Sequence, residues 1–274
     1  MLEWLTERFP RIAPEAWRLR AREGLVTDDE GAPIDLEGPY RAHLRLSYFR
    51  EVPDEPEPPP LRILFEDERL VAVDKPPFLP VTPGGPYVRR CVLYAAQRQL
   101  GLAGLAAPHR LDRETSGVVL LVKRPEDRGP YGKPFAEGTA TKIYEALAAV
   151  SEAPAERRWS VTSRIETGTP WFRRREVPGR PNAVSEIELL ELRNGVGRFR
   201  LRPETGKTHQ LRLHMLRIGF PILGDRFYPE LRPKGPDDPS NPLRLVASSL
   251  AFRDPVTGED RRFESRYDVR ALAE

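Results

Sequence analysis

Residues able to do chemistry gather in one run of this 274-residue chain, His109-Arg110-Leu111-Asp112-Arg113-Glu114-Thr115-Ser116-Gly117, followed at once by the five apolar residues 118–122. The apolar run, bounded by Gly117 and Lys123, reads as a buried strand. The polar cluster is thereby held at the edge of a rigid sheet, where a carboxylate such as Asp112 can be positioned and partly desolvated. By itself the pattern also fits a charged loop that caps a core strand, with Asp112 an ordinary turn residue.

The elements around this run follow from composition and periodicity. Residues 51–60 hold five prolines and four acids, which favours an extended linker over helix or central strand. The expected organisation is a small domain over 1–50, the linker, and a large domain over 61–274. In the small domain, residues 14–23 are predicted helical, with Pro14 opening the helix and Gly24 ending it. Leu25-Val26 and Leu44–Tyr48 read as short strands. Downstream, Arg62–Phe65 and Leu70–Val73 form a predicted hairpin, and Val92, Ala95, Ala96 and Leu100 mark one face of a helix. Lys142–Val150 and Glu186–Leu192 read as strands, and Asn194-Gly195 turns the latter into Gly197–Arg202. Leu243–Ala247, Leu250–Phe252 and Arg261–Glu264 suggest closing strands. Leu211, Met215 and Ile218 recur at helical spacing, with Gly219 as a cap. The pattern is mixed α+β rather than repeated βαβ.

Charge is unevenly spread. Residues 1–60 carry 8 Arg and no Lys against 13 acids, whereas the remainder carries 36 basic and 28 acidic residues. The basic excess of the larger part suits a polyanionic partner, or simply a solvated surface. Arg outnumbers Lys 38 to 6, which suits phosphate recognition and equally follows from base composition. No apolar stretch reaches the roughly 18–20 residues of a membrane span, and the N-terminus lacks signal-peptide character. Cys91 is the single cysteine, so no internal disulfide can form. A soluble cytoplasmic protein is expected. His209 and His214 lie about 140° apart around a helix and have no acidic or thiol ligand to complete a set, so no metal site is expected.

The run around Asp112 resembles the signature of the RluA-type pseudouridine synthases, in which HRLD, two variable residues and TSG carry a catalytic aspartate. Further segments resemble motifs of that family in the same order. They are Ile63–Glu68 through Val73-Asp74-Lys75-Pro76-Pro77, then Lys142-Ile143-Tyr144-Glu145-Ala146, then Thr205-Gly206-Lys207-Thr208-His209-Gln210-Leu211-Arg212-Leu213-His214, and Gly219–Tyr228. Leu243-Arg244-Leu245 and Pro255-Val256-Thr257-Gly258 close the series, so the resemblance covers residues 61–264. Departures are Asp74 where the family commonly has Asn, Lys207 where it usually has Arg, and Val246 and Asp254 where it often has His.

The resemblance implies a pseudouridine synthase fold: a central mixed, mostly antiparallel sheet with flanking helices, preceded by a small, degenerate S-four-like domain that contacts RNA or serves structure alone. It implies isomerisation of uridine in large-subunit ribosomal RNA or transfer RNA, by a monomer that needs neither cofactor nor metal and partners neither DNA nor membranes. Such a reaction breaks the uracil glycosidic bond, turns the ring and joins C5 to the ribose. A carboxylate assists by attack or by proton abstraction, and the resemblance assigns this to Asp112. A buried carboxylate needs a cation to stay ionised. The resemblance gives that place to Lys207, which alone would read as a solvated loop lysine. Tyr144 takes the role of the base-stacking residue and general-base candidate, where its pattern alone fits a core aromatic. Arg110 fills the place of the flipped-out base. His109 reads as a hydrogen-bonded structural residue in the substrate-binding motif. Thr115, His209, Gln210 and Arg212 complete the candidate substrate contacts, and Gln210, Arg212 and His214 of the helix lie beside the site or face RNA.

A protein kinase is excluded, because Leu111 interrupts His-Arg-Asp and no glycine-rich nucleotide loop precedes it. A glycoside hydrolase needs a second positioned carboxylate, which nothing nominates. The rival of another class is a catalytically silent RNA-binding protein that keeps the fold.

Overall fold

The structure is a computed structural model that describes residues 1–10, 12–49, 55–233 and 235–272. Its chain contacts divide it into two compact units, Met1–Asp54 and Glu55–Glu274.

In the first unit, α1 (Leu2–Arg8) and α2 (Pro14–Arg22) pack with a two-residue ladder of β1 (Val26–Thr27) and β2 (Ser47–Tyr48). Helix α1 has no counterpart in the sequence reading. Trp17 is the hub: it is fully buried, with Tyr48 edge-on at 5.1 Å and Phe9 at 5.8 Å. Gly24 leaves α2 at φ +70°, the left-handed exit expected of a helix-ending glycine.

The second unit begins earlier than the proline pattern suggests. Residues 51–54 of the expected linker lie outside the described residues, but residues 55–60 belong to the large unit. The Glu55 carboxylate accepts the backbone N–H groups of Val88, Arg89 and Arg90, and Glu57 pairs with Arg98. Proline denies these residues a helix but leaves their acids free to bind the domain.

The strands of this unit are β3 (Arg62–Glu66), β4 (Leu70–Lys75), β5 (Ser116–Val122), β6 (Thr141–Ala149), β7 (Arg158–Thr167), β8 (Arg174–Val177), β9 (Ala183–Arg193), β10 (Val196–Pro203), β11 (Leu245–Arg253) and β12 (Asp260–Glu264). They form one sheet in the order β3-β4-β5-β11-β6-β10-β9-β7-β8, with β12 on the outer part of β11. All pairings are antiparallel except β5 with β11. The helices are α3 (Val92–Leu100), α4 (Arg128–Ala136) and α5 (Gln210–Arg217).

β5 is buried along its whole length, as a strand covered on two faces must be. Val119 and Leu121 join a core with Val92, Ala95 and Ala96 of α3. Val118, Leu120 and Val122 point the other way, against Tyr131 of α4, Phe252 and Phe263. Each such side chain contributes roughly 1.5–3 kcal/mol by leaving water. Gly117 is dictated by the parallel neighbour: at φ +112°, a Cβ there would sit 2.3 Å from the Ala247 carbonyl oxygen.

The two closing strands expected over 243–252 are one strand, β11, whose register on β6 shifts between Val246 and Ser249. The prediction missed β7, β8 and α4. In β7, Ser163 falls in the apolar alternation of Val161 and Ile165, and it is buried because His214 Nε2 meets its hydroxyl at 3.0 Å. α4 contains two glycines and two prolines, which have low helix propensity. Tertiary contacts hold it: the Tyr131 hydroxyl donates to the buried carboxylate of Asp254.

Candidate active site

Four elements wall one cavity of about 400 Å³: the loop Pro108–Asp112 ahead of β5, β6 through Lys142 and Tyr144, the turn and helix Thr205–Arg212, and α4 through Gly132, Phe135 and Ala136. Leu245 of β11 lies beneath. All nine residues singled out from sequence line it: Asp112, Tyr144, Lys207, Arg110, His109, Thr115, His209, Gln210 and Arg212. Their roles in its construction differ from the sequence reading in several cases.

Asp112 is half-buried on the cavity wall, and its backbone carbonyl accepts the Thr115 N–H at 3.1 Å, closing the loop that presents it. Burial holds its carboxyl above the usual carboxylate range. Arg212 opposes that rise most strongly, followed by Arg110, the backbone amide of His209 and Lys75.

The cation expected beside Asp112 from the sequence is Lys207. Lys207 is exposed and, among the described residues, its ammonium has no ion pair or hydrogen bond. The turn that carries it points its backbone inward instead, and the Lys207 N–H donates to Gln210 Oε1 at 3.0 Å. Arg212 is the cation that acts most strongly on the Asp112 carboxyl. It is 1% exposed, Nε donates to Asp225 Oδ2 at 2.7 Å, and Nη2 reaches Oδ1 of the same carboxylate. Nη1 has no hydrogen-bond partner and lies 3.6 Å from Glu114. A guanidinium suits this place because one planar fork grips Asp225 while a third edge stays free.

The helix α5 is buried on all sides near its start, so a stripe of three apolar residues understates it. Gln210 donates to the Val184 carbonyl and the Ser185 hydroxyl, and accepts from Thr205 Oγ1. His214 lies within the fold against Ser163 rather than beside RNA, and burial lowers its ring to about 4. His209 precedes α5 at φ 57°. That left-handed conformation, costly for a residue with a Cβ, turns its amide toward Asp112. Its ring is held by the Tyr228 hydroxyl at 3.0 Å, and burial, then Arg212, lower it to about 3.

The His109 ring is hydrogen-bonded and stacked within the fold. Leu120 N–H donates to its Nε2 at 3.0 Å, which places the proton of the neutral ring on Nδ1. The ring stacks on Phe135 at 4.4 Å, and burial pulls it down to about 3. Arg110 is exposed at the rim, with no ion pair or hydrogen bond among the described residues. Tyr144 packs between two core clusters. Burial and the nearby Asp112 push its phenol up, so the hydroxyl stays protonated at neutral pH. Burial lowers the Lys142 ammonium.

A supporting residue escaped the sequence reading. Lys75, fully buried, donates to the carbonyls of Pro76, Leu79 and Arg113 at 2.9, 2.7 and 2.9 Å. Three carbonyl acceptors fit the three donors of an ammonium, and the bond to Arg113 fixes the residue after Asp112. Burial lowers this ammonium to about 7, against the pull of Glu114 and Asp112. Its neighbour Asp74, also buried, accepts the Ser265 hydroxyl and the Arg266 N–H at 2.6 and 2.7 Å. The signal that could have found Lys75 is the Asp74-Lys75 pair ending a strand whose first four residues are apolar and buried.

A family described as RNA pseudouridylate synthase matches residues 69–217, more than half of the chain. An uncharacterised RNA pseudouridine synthase of Synechocystis is 32% identical over 231 residues, covering 83% of this chain and 79% of that protein. The dual-specificity RNA pseudouridine synthase RluA of Escherichia coli K12 is 34% identical over 220 residues, covering 78% and 96%. The ribosomal large subunit pseudouridine synthase D of Pasteurella multocida is 31% identical over 228 residues, covering 75% and 67%. Among solved structures, human RNA pseudouridylate synthase domain containing 1 superposes with a TM-score of 0.61 at 23% identity, over 76% of this chain and 83% of that one. These likenesses define an RNA-modifying isomerase with a pseudouridine synthase fold. The chain belongs to the RNA pseudouridylate synthase family, in its RluA-type branch.

Proposed function

We propose that this chain converts a uridine in a folded RNA to pseudouridine, with Asp112 as the catalytic carboxylate and the target base swung out of its stack. The observation that carries this reading is the half-buried Asp112 on the wall of a cavity of about 400 Å³, a space suited to a small molecule or one nucleoside. Arg110, Lys142, Lys207 and Arg212 line the same space. That cationic lining favours an anionic substrate, and Arg212 opposes the rise that burial imposes on the Asp112 carboxyl.

In this reading the N1–C1′ bond of uridine breaks with help from Asp112, as nucleophile or base at the sugar. The base turns and C5 bonds to C1′. The proton lost from C5 and the one gained at N1 balance, so no group donor is required. Tyr144 offers a ring face to the base, and its protonated hydroxyl stands ready to exchange a hydrogen bond or a proton as C5 is released. The unpartnered fork of Arg110 at the rim fills the gap that the extruded base leaves, at a cost of a few kcal/mol of unstacking. Large-subunit ribosomal RNA, which the name of the Pasteurella relative specifies, and transfer RNA, which the resemblance in sequence implies, are the proposed substrates.

The test is pseudouridine mapping of cellular RNA incubated with the wild-type chain and with Asp112→Asn. Conversion by the first and none by the second is expected. RNA bound by both without any conversion would make the chain a silent binding protein instead.

A further inference from the structure

The hairpin of β7 and β8 carries, at its turn, Trp171-Phe172-Arg173-Arg174-Arg175. Trp171 is 63% exposed, more than any other large apolar side chain among the described residues. It is not a stray ring. Its indole stands edge-on to Phe172 at 6.0 Å. Phe172 leans on Phe227 at 5.5 Å, and Phe227 receives the Arg212 guanidinium at 4.8 Å and the His209 ring at 5.3 Å. A continuous chain of ring contacts thus runs from the cavity wall to an open indole face.

The turn beneath it is fixed. Gly168 N–H donates to Arg173 O at 3.0 Å, and Arg173 N–H to Pro170 O at 2.9 Å. Arg174 N–H donates to the Tyr228 hydroxyl, which donates back to the Arg174 carbonyl. A platform held this way binds with little ordering cost.

A second cavity of about 480 Å³ lies against this hairpin, walled by Ile165, Glu166, Thr167, Arg174, Lys207 and Thr208. Lys207 and Thr208 also wall the catalytic cavity. The one acid, Glu166, is engaged by Arg164 at 2.8 Å. Lys207 therefore lines both cavities, and among the described residues its ammonium has no ion pair or hydrogen bond. A phosphodiester joining two nucleotides held in the two spaces has to cross from one to the other.

We propose that this hairpin and second cavity form a subsite for an unpaired nucleotide adjoining the target uridine. Its base stacks on Trp171 and the connecting phosphate is met by Lys207 and Arg174. The inference rests on the reading of the chain as an RNA isomerase and adds where the neighbouring nucleotide goes. Stacking on a tryptophan tolerates any base, so the subsite selects an unpaired, extruded neighbour rather than a sequence.

The experiment measures binding, so that it does not depend on turnover. The probe is a fluorescent RNA hairpin with a short randomised loop holding one uridine, titrated into the Asp112→Asn chain. Trp171→Ala in that background is expected to weaken binding roughly tenfold, while Trp171→Phe, which keeps a stacking face, retains most of it. A probe with abasic residues flanking the uridine should bind the parent more weakly and lose its sensitivity to Trp171→Ala. Lys207→Gln should lower the salt dependence by about one phosphate contact. Failure of the parent to bind the hairpin, equal binding by Trp171→Ala, or an undiminished Trp171 effect on the abasic probe would overturn the subsite. Trp171-dependent binding, together with no conversion of any uridine by the wild-type chain in the mapping experiment, would sink the isomerase reading and leave the subsite intact.

Discussion

Replacing Arg212 by methionine separates what this residue does for the fold from what it does for Asp112. The guanidinium is 1% exposed and the Asp225 carboxylate 3%, and the two share a fork with Nε–Oδ2 at 2.7 Å. Removing one member strands the other as a buried charge, at a cost of about 3–5 kcal/mol. That is a large part of the roughly 5–15 kcal/mol that keeps a domain folded. In Arg212→Met/Asp225→Asn the stranded charge is gone. The asparagine carbonyl still accepts the Phe227 and Tyr228 N–H groups that Asp225 Oδ1 now holds at 2.8 and 3.1 Å, and Glu114 keeps Arg113 at 3.3 Å. Stability should return to within about 1–2 kcal/mol of wild type, as read by urea denaturation. Turnover should not return. Asp112 has lost its foremost opposing cation, so its carboxyl climbs further and the acid side of the pH–rate profile moves to higher pH, as read by tritium release from uridine labelled at C5. A double variant that regains activity, or a Lys207→Gln variant that shifts the acid limb as far as Arg212→Met does, would refute the assignment of Arg212 as the charge partner.

Other consequences follow from the same physics. Burial holds the Asp112 carboxyl high, so the ionised form costs stability that is absent at low pH and fully present above the folded-state pKa. Asp112→Asn should therefore abolish turnover yet raise the melting temperature at neutral pH, with the gain shrinking on acidification in a calorimetric series. Gly117→Ala places a methyl 2.3 Å from the Ala247 carbonyl at φ +112° and should cost about 2–6 kcal/mol, measured by thermal unfolding. Buried Asp254 accepts Val256 N–H, Thr257 N–H, the Tyr131 hydroxyl and Arg261 Nε. Asp254→Ala should cost about 2–4 kcal/mol and raise KM, because α4, anchored by Tyr131, supplies a wall of the cavity. Burial would raise the Asp254 carboxyl, but these donors hold it low, so its contribution is present near neutrality and fades as pH falls. The wild-type and Asp254→Ala stabilities should converge in acid.

The residues that line the cavity were legible because each motif is local: a polar run at a strand edge, a Lys-x-Tyr strand, a turn entering a helix. What escaped was long-range. Lys207 and Arg212 lie five residues apart, and a linear reading cannot tell which reaches Asp112. The answer depends on Asp225 folding back to grip the arginine and on His209 adopting φ 57°. Gln210 and His214 look solvent-facing when only the stripe of Leu211, Met215 and Ile218 is counted. Strands β7 and β9 bring the partners that bury them. Helix α4 was invisible because its glycines and prolines oppose helix, and the tertiary anchor of Tyr131 on Asp254 prevails over propensity. The proline-rich stretch read as linker because composition reports the backbone's preference and not the acid side chains that fasten it.

The position of β11 has a consequence for how this enzyme comes into being. Val246 pairs with Ser116 on one side and with Glu145 on the other, so a strand about a hundred residues downstream of both is wedged between two made earlier. Until the ribosome has released it, the half of the sheet bearing Asp112 and the half bearing Tyr144 have no common seam, and each exposes an open edge to neighbours. Such distant pairing folds slowly. The cavity is thus completed only once β11 has been made, and a nascent chain stopped short of Leu245 would hold nearly every residue that lines it without holding the cavity.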